Sequence, residues 1–113
     1  MIFLKARRSH YLILSEDEMR ELSEMRKDMD RIDEGLKALF LERLEVSREI
    51  ANYKKEKGLA IYDRAREEEK LDMLSKDCDN PFKKESVREL FSFIMGISKK
   101  LQEQTINRSE DQA

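Results

Sequence analysis

Apolar residues recur in alternating steps of three and four along the first half of the chain, from Leu22 to Tyr53. This spacing places them on one face of an α-helix and predicts a long amphipathic helix whose apolar stripe faces a core. Arg43 interrupts the stripe, and burying a guanidinium without a partner costs on the order of several kcal/mol. We therefore expect an anion opposite Arg43, for which a ligand is one source. The stripe consists of Leu22, Met25, Met29, Ile32, Leu36, Leu39, Arg43, Val46, Ile50 and Tyr53.

Residues that start and stop helices divide the chain into three predicted helices, at about residues 18–57, 64–76 and 81–106. Ser15 or Asp17 is the candidate N-cap of the first helix, and Gly58 is its natural C-terminal stop. Asp63 is a good N-cap for the second helix, and Pro81 suits the first position of the third. Because three Gly and one Pro in 113 residues leave few other interruptions, we predict an all-α fold.

The predicted helices form one domain, residues 18–106. Residues 1–17 precede it as a basic arm, which carries Lys5, Arg7 and Arg8 and which we expect to be loosely ordered. The arm also contains His10, the only histidine, to which we assign no chemical role. Residues 107–113 form a polar tail that we expect to fray.

Charge and cysteine content narrow the classes of protein to consider. Charged residues make up 42% of the chain, against about 25% in an average globular protein, yet the net charge is only −2. This balance gives no reason to expect a nucleic-acid or membrane partner, and no apolar run approaches the roughly 20 residues that span a bilayer. Cys78 is the only cysteine, which excludes an intramolecular disulfide and fits a reducing cytoplasm.

Polar residues occupy apolar seams on two of the predicted helices. Lys54 follows Arg43 by about three turns, so the two cations point the same way, roughly 16 Å apart at their Cα atoms. On the third helix Ser98 takes a seam position, and Gln102 follows it by one turn. Taken singly, Lys54 is more often a solvated surface residue and Ser98 a small packing residue. Four such residues together favour a polar site between the helices.

Taken together, these positions resemble the all-helical, type II chorismate mutase family over about residues 24–104. Each motif alone is weak, but five motifs in register make a specific match. The matching elements are Arg26 followed by Ile32-Asp33; Glu42-Arg43 with Ile50 and Lys54; Asp63, Arg66 and Glu67 within residues 61–69; Asn80-Pro81; and Ser98 with Gln102.

The resemblance implies an isomerase that converts chorismate to prephenate in phenylalanine and tyrosine biosynthesis. The reaction is a unimolecular [3,3] rearrangement, so it requires no nucleophile, metal or cofactor. Catalysis then consists of holding the dianionic substrate in its reactive conformer and stabilising the charge that builds on the ether oxygen. The resemblance implies these roles: Arg26 and Arg43 bind the two carboxylates, Ser98 and Arg66 assist them, Lys54 and Gln102 donate to the ether oxygen, Glu67 accepts from the ring hydroxyl, and Asp63 supports that end.

The first helix also predicts a partner chain. At 1.5 Å per residue it is roughly 60 Å long, more than one small domain covers. Arg26 and Arg43 lie seventeen residues apart on it, roughly 25 Å, which is too far for both to grip one single-ring substrate. If both serve one site, Arg26 comes from a second copy, in agreement with the intertwined homodimeric helical bundle of the family and its two shared sites.

Three positions depart from the family pattern. Lys70 stands where members often carry an apolar residue, and it is either an exposed residue, the interpretation we favour, or a charge that alters substrate choice. Met29 and Met95 stand where branched apolar residues are usual, and they predict a more pliable pocket.

Two other functions stay open. An isochorismate pyruvate lyase of the same fold would use the same carboxylate contacts, although the fit at Asp63, Arg66 and Glu67 favours the mutase. A non-enzymatic coiled-coil dimer or adaptor would explain the long helix and the high charge, but it would not explain Arg43 on the stripe. An adaptor should lose little stability on Arg43→Leu, whereas the enzyme should lose its ligand site.

Overall fold

The computed structural model describes residues 19–112 and has three α-helices in that range: α1 (Leu22–Lys57), α2 (Arg64–Ser75) and α3 (Pro81–Gln112). The predicted all-α fold is confirmed. The basic arm, its histidine and the two candidate caps of the first helix lie outside the described residues. No helix within residues 19–112 is long and apolar enough to cross a membrane.

Helix α1 ends as predicted at Gly58, which adopts a left-handed conformation with φ of 69°. The Leu59 N–H donates to the Lys54 carbonyl at 2.8 Å, and the Gly58 N–H donates to the Lys55 carbonyl at 3.3 Å. This pair of bonds is a Schellman motif, which favours glycine because side chains crowd the backbone at positive φ. The chain therefore turns back directly after Lys57.

The other two helices begin at the predicted residues, and a side chain caps the start of each. The Asp63 carboxylate accepts a hydrogen bond from the Arg66 backbone N–H at 3.0 Å and so caps α2. The Asn80 side chain accepts from the Lys83 backbone N–H at 2.8 Å, directly before Pro81 opens α3. Each cap satisfies an N–H group that the first turn of a helix leaves without a partner.

Two predicted helix ends were wrong. Helix α1 begins at Leu22 rather than near Glu18, and its first turn forms where the Glu21 carbonyl accepts from the Glu24 and Met25 N–H groups. Helix α3 continues to Gln112 instead of ending near residue 106. Residues 107–112 are polar but include neither Gly nor Pro, so nothing in the backbone stops the helix there.

The chain divides into two compact units between Ala38 and Leu39. In the first unit, the large apolar side chains of residues 22–38 are all exposed, between 43% and 60%. They are Leu22, Met25, Met29, Ile32 and Leu36. Residues 19–112 of the same chain therefore leave this part of the stripe uncovered, and the partner chain expected to cover it stays a prediction.

Among its described residues, the second unit has a small core in which buried polar side chains outnumber buried apolar ones. The buried apolar residues are Ala51, Leu71 and Met95, and the buried polar residues are Ser47, Ser75, Ser98 and Gln102. Helices α2 and α3 pack closely against each other. The Arg88 guanidinium joins them through Asp72 at 2.9 Å and the Ser75 hydroxyl at 3.2 Å. Hydrogen bonds from Arg43 to Ser98 and from Gln102 to Ser47 join α1 to α3.

Candidate active site

A cavity of about 310 Å³ lies within the second unit, between the end of α1, the loop that follows it, α2 and α3. This volume falls at the lower end of the range of small-molecule sites, about 300 to 1,000 Å³. Its walls are Arg43, Val46, Ser47, Ile50 and Lys54 of α1, Ile61 and Asp63 of the loop, Arg66, Glu67 and Lys70 of α2, and Met95, Ser98, Lys99 and Gln102 of α3.

Seven of the eight site residues predicted from the sequence line this one pocket. They are Arg43, Lys54, Asp63, Arg66, Glu67, Ser98 and Gln102. Arg26 is the exception, because it lies in the first unit and is exposed.

Arg43 is half-buried on the pocket wall, and its guanidinium has no carboxylate partner among the described residues. Its Nη1 donates to the buried Ser98 hydroxyl at 2.7 Å. A guanidinium has five N–H donors, so one neutral hydroxyl satisfies it only in part. The anion that the sequence predicted opposite Arg43 is not supplied by residues 19–112 of its own chain.

Lys54 points into the same pocket and is held by the backbone rather than by an acid. Its Nζ donates to the Ile61 carbonyl at 2.8 Å, and the side chain is half-buried. The reversal of the chain at Gly58 returns the loop to this position. An ammonium group has three N–H donors, so two remain for other oxygens.

Gln102 is buried on α3, and its side chain reaches across to α1. Its Nε2 donates to the Ser47 hydroxyl at 3.0 Å, and Ser47 is also buried. The Gln102 Oε1 atom is buried and accepts no hydrogen bond in the described structure. Leaving such an acceptor without a donor costs about 1 to 3 kcal/mol.

The start of α2 brings three predicted residues to the rim of the pocket. Asp63 is occupied with the cap of the helix. Arg66 is exposed and pairs with Glu69 at 3.2 Å, and such surface ion pairs contribute about 0 to 1 kcal/mol. Glu67 is more enclosed, and its carboxylate lies 3.3 Å from the Lys99 ammonium of α3.

Tyr62 joins the loop to α3 beside this ion pair. Its hydroxyl donates to the Glu103 carboxylate, and the Lys99 ammonium lies 5.2 Å from the centre of its ring. The hydrogen bond to Glu103 raises the pKa of Tyr62 above its ordinary 10.0, and partial burial and the negative charges of Glu103 and Glu67 act in the same direction. The loop that supplies Ile61 to Lys54 is thus tied to α3.

Lys70 also lines the pocket, so the expectation of an exposed side chain was wrong. It is half-buried and forms no hydrogen bond or ion pair with the described residues. Counting Lys70, the walls carry five cationic and two acidic side chains, an excess of three positive charges. The pocket therefore favours a ligand with more than one negative charge.

Sequence reasoning missed three contributors to the pocket. Ser47 lies one turn after Arg43 on the same face of α1, so this spacing could have predicted that it lines the pocket. Lys99 follows Ser98 directly, but its pairing with Glu67 depends on how α2 packs on α3. The Ile61 carbonyl is a backbone group, and its bond to Lys54 has no sequence signal.

Comparisons with known proteins identify the family of the chain. A family model described as chorismate mutase type II matches residues 25–103. A chorismate mutase of Methanocaldococcus jannaschii is 28% identical over 92 residues, which cover 80% of this chain and 93% of that protein. A solved structure of chorismate mutase (form II) from Thermus thermophilus is 36% identical, covers 74% of this chain and 96% of its own, and gives a TM-score of 0.70. The chain belongs to the type II chorismate mutase family.

Proposed function

We propose that the chain acts as a chorismate mutase and that chorismate rearranges to prephenate in the pocket between α1, α2 and α3. Family membership carries the activity. For the location, the main support is Arg43, a half-buried guanidinium whose partner in the described chain is a neutral hydroxyl. A bound carboxylate would supply the missing negative charge through two parallel hydrogen bonds.

The charge of the pocket suits a dianion. Chorismate carries two carboxylates, and the walls have three more positive than negative side chains. Arg43 and Ser98 would bind one carboxylate together, because the hydroxyl already lies 2.7 Å from the guanidinium. Lys70 has no partner in the described chain and adds a further positive charge on the side of α2.

Lys54 and Gln102 would face the ether oxygen from opposite helices. Lys54 is fixed by the Ile61 carbonyl and Gln102 by the Ser47 hydroxyl. Donors that are held toward the position where negative charge develops stabilise the transition state. In a rearrangement with no external reagent, such donors and the enforced conformer supply the catalysis.

Glu67 would accept a hydrogen bond from the ring hydroxyl of the substrate. Lys99 lies 3.3 Å from this carboxylate and keeps it beside the pocket. Asp63 supports this end indirectly, because its cap fixes the first turn of α2, on which Arg66 and Glu67 lie. Arg66 would assist carboxylate binding by leaving its exposed pair with Glu69.

The proposed enzyme is a homodimer in which Arg26 reaches the pocket of the other chain. The exposed stripe of residues 22–38 supports this assembly, because contiguous apolar surface on a monomer marks an interaction site. In the second unit Leu39, Val46, Ile50 and Tyr53 are exposed as well. We also propose a reducing cytoplasm as its location, in keeping with the single free Cys78.

Following the absorbance of chorismate with the purified protein, and identifying the product, tests the activity. We expect prephenate, with the rate abolished in Arg43→Ala and Lys54→Ala. Turnover of isochorismate to salicylate and pyruvate in its place would point to the lyase. A protein inert toward both compounds would refute the proposal.

A further inference from the structure

Ser47 forms a hydrogen bond with Gln102, a residue of the proposed site. It is 4% exposed, and its hydroxyl lies 3.0 Å from Nε2 of Gln102, which is 8% exposed. Ser47 lies between Arg43 and Lys54 on the wall that α1 contributes to the pocket. The inference below rests on the proposed mutase function and concerns how Gln102 is oriented for it.

The bond between the two side chains leaves one group unsatisfied on each of them. Gln102 Oε1 is buried and accepts nothing, while the Ser47 hydroxyl donates no hydrogen bond to residues 19–112. Meanwhile Nε2, the donor that an ether oxygen requires, is occupied with Ser47. The two ends of a carboxamide have nearly the same shape, so a half-turn of the amide exchanges them without repacking the helices.

We propose that Ser47 is a positioning residue that sets the orientation of the Gln102 amide for catalysis. With substrate bound, the Ser47 hydroxyl donates to Oε1, and Nε2 turns toward the ether oxygen. This arrangement pairs both unsatisfied groups with each other. It also releases the two N–H donors of Nε2 where negative charge builds during the rearrangement.

Ser75 shows what a merely structural serine does in this fold. Its hydroxyl donates to the Leu71 carbonyl of its own helix at 2.7 Å, which is the usual bond of a buried helical serine. Ser75 also accepts from Arg88 of α3, but only after its own proton is used within α2. The Ser47 hydroxyl is also buried, yet it donates to no carbonyl of α1 among the described residues and accepts from Gln102 of α3. Its hydroxyl is therefore directed at the Gln102 side chain.

A double-mutant cycle on the full chain tests the coupling. We expect Ser47→Ala to lower kcat about tenfold with little change in KM, the size of one hydrogen bond between uncharged groups. In the Gln102→Ala background, Ser47→Ala should lower kcat no further, because the amide that it orients is gone. Equal losses in the two backgrounds would overturn the proposal.

Ser75→Ala is the matched control, since it removes a buried helical hydroxyl outside the pocket. It should leave kcat unchanged, and thermal unfolding of both alanine variants separates catalytic loss from loss of fold. Ser47→Thr keeps the hydroxyl and should regain part of the lost rate. A Ser47→Ala protein that keeps the full rate would refute the role of Ser47, whereas an unmodified protein without chorismate turnover would refute the mutase itself.

A pH profile gives a readout that a structural role would not change. In Gln102→Glu the new carboxyl must be protonated to donate to the ether oxygen, so kcat should fall as pH rises through its pKa. A hydroxyl that donates to the ionised carboxylate lowers this pKa. Adding Ser47→Ala should therefore move the fall in kcat to higher pH, and an unmoved profile would contradict the proposed contact.

Discussion

The two halves of α1, residues 22–38 and 39–57, share one apolar periodicity but differ in what surrounds them in the chain. The first half exposes every large apolar residue on its stripe. The second half exposes the large apolar residues of its stripe as well, but it buries Ser47 and Ala51 and partly encloses Arg43 and Lys54. Periodicity thus shows which face of a helix is apolar, but it does not show which chain covers that face.

The two halves of α1 also differ in the interactions that stabilise them within one chain. Burying one large apolar side chain contributes about 1.5 to 3 kcal/mol, and residues 22–38 leave this contribution unused in the single chain. In the second half, two hydrogen bonds between polar side chains reach α3, and such bonds contribute about 0.5 to 1.5 kcal/mol each. We infer that the first half is shaped for association and the second for a ligand.

Arg43→Ala should have the largest effect on the ligand-binding half. We expect kcat/KM to fall by roughly a thousandfold, because the variant lacks the preorganised, partly desolvated guanidinium that would donate to a carboxylate of the substrate. Steady-state assays with chorismate measure it. Arg48→Ala is the control, since Arg48 pairs with Glu45 on an exposed face of the same helix. If kcat/KM falls no further in Arg43→Ala than in this control, the proposed contact between Arg43 and the substrate is wrong.

Ile32→Glu tests the associating half. Placing a carboxylate on the stripe should weaken dimerisation by roughly a hundredfold or more, because an apolar contact is lost and a charge would have to be buried. Sedimentation equilibrium measures the change. Arg31→Glu introduces the same side chain at the neighbouring position off the stripe and should leave the association nearly unchanged. Equal behaviour of the two variants would show that the stripe is not an interface.

Lys70→Met should have a moderate effect, confined to substrate binding. We expect KM for chorismate to rise about threefold to tenfold with kcat nearly constant, because a half-buried cation without a partner attracts the dianion in ground and transition states alike. The rise should shrink at high salt. Lys84→Met, on α3 outside the pocket, is the control. An unchanged KM would show that Lys70 does not contact the substrate.

Tyr62→Phe should have the smallest effect, and it depends on pH. Since the Glu103 hydrogen bond raises the Tyr62 pKa above 10.0, its contribution to stability is fully present below pH 10.0 and is lost as pH rises through the raised pKa. We expect a slightly lower Tm for Tyr62→Phe at about pH 8 and a difference that disappears as pH rises through the raised pKa of Tyr62. Tyr53→Phe is the control, and a difference that persists at high pH would contradict this account.

Local signals in the sequence were sufficient to predict the three helices. Gly58, Asp63 and Pro81 act within one or two turns of their own position, so the three helices could be predicted from them. The extension of α3 to Gln112 differs from the prediction, because a polar composition without Gly or Pro does not end a helix.

The candidate site was predictable where a polar residue breaks an apolar seam, as at Arg43 and Ser98. It was not predictable where a contact depends on packing between helices. The Ser47–Gln102 bond and the position of Lys70 depend on how α1, α2 and α3 meet, which no spacing within one helix determines.

The most direct test of the account is a mixed dimer of Arg26→Ala and Arg43→Ala chains. Each variant alone should be inactive, since every site then lacks one arginine. In an equal mixture half of the dimers are heterodimers, and each heterodimer keeps one complete site, so about a quarter of full chorismate turnover should return. Heterodimers demonstrated by differential tagging that still lack activity would contradict the shared site.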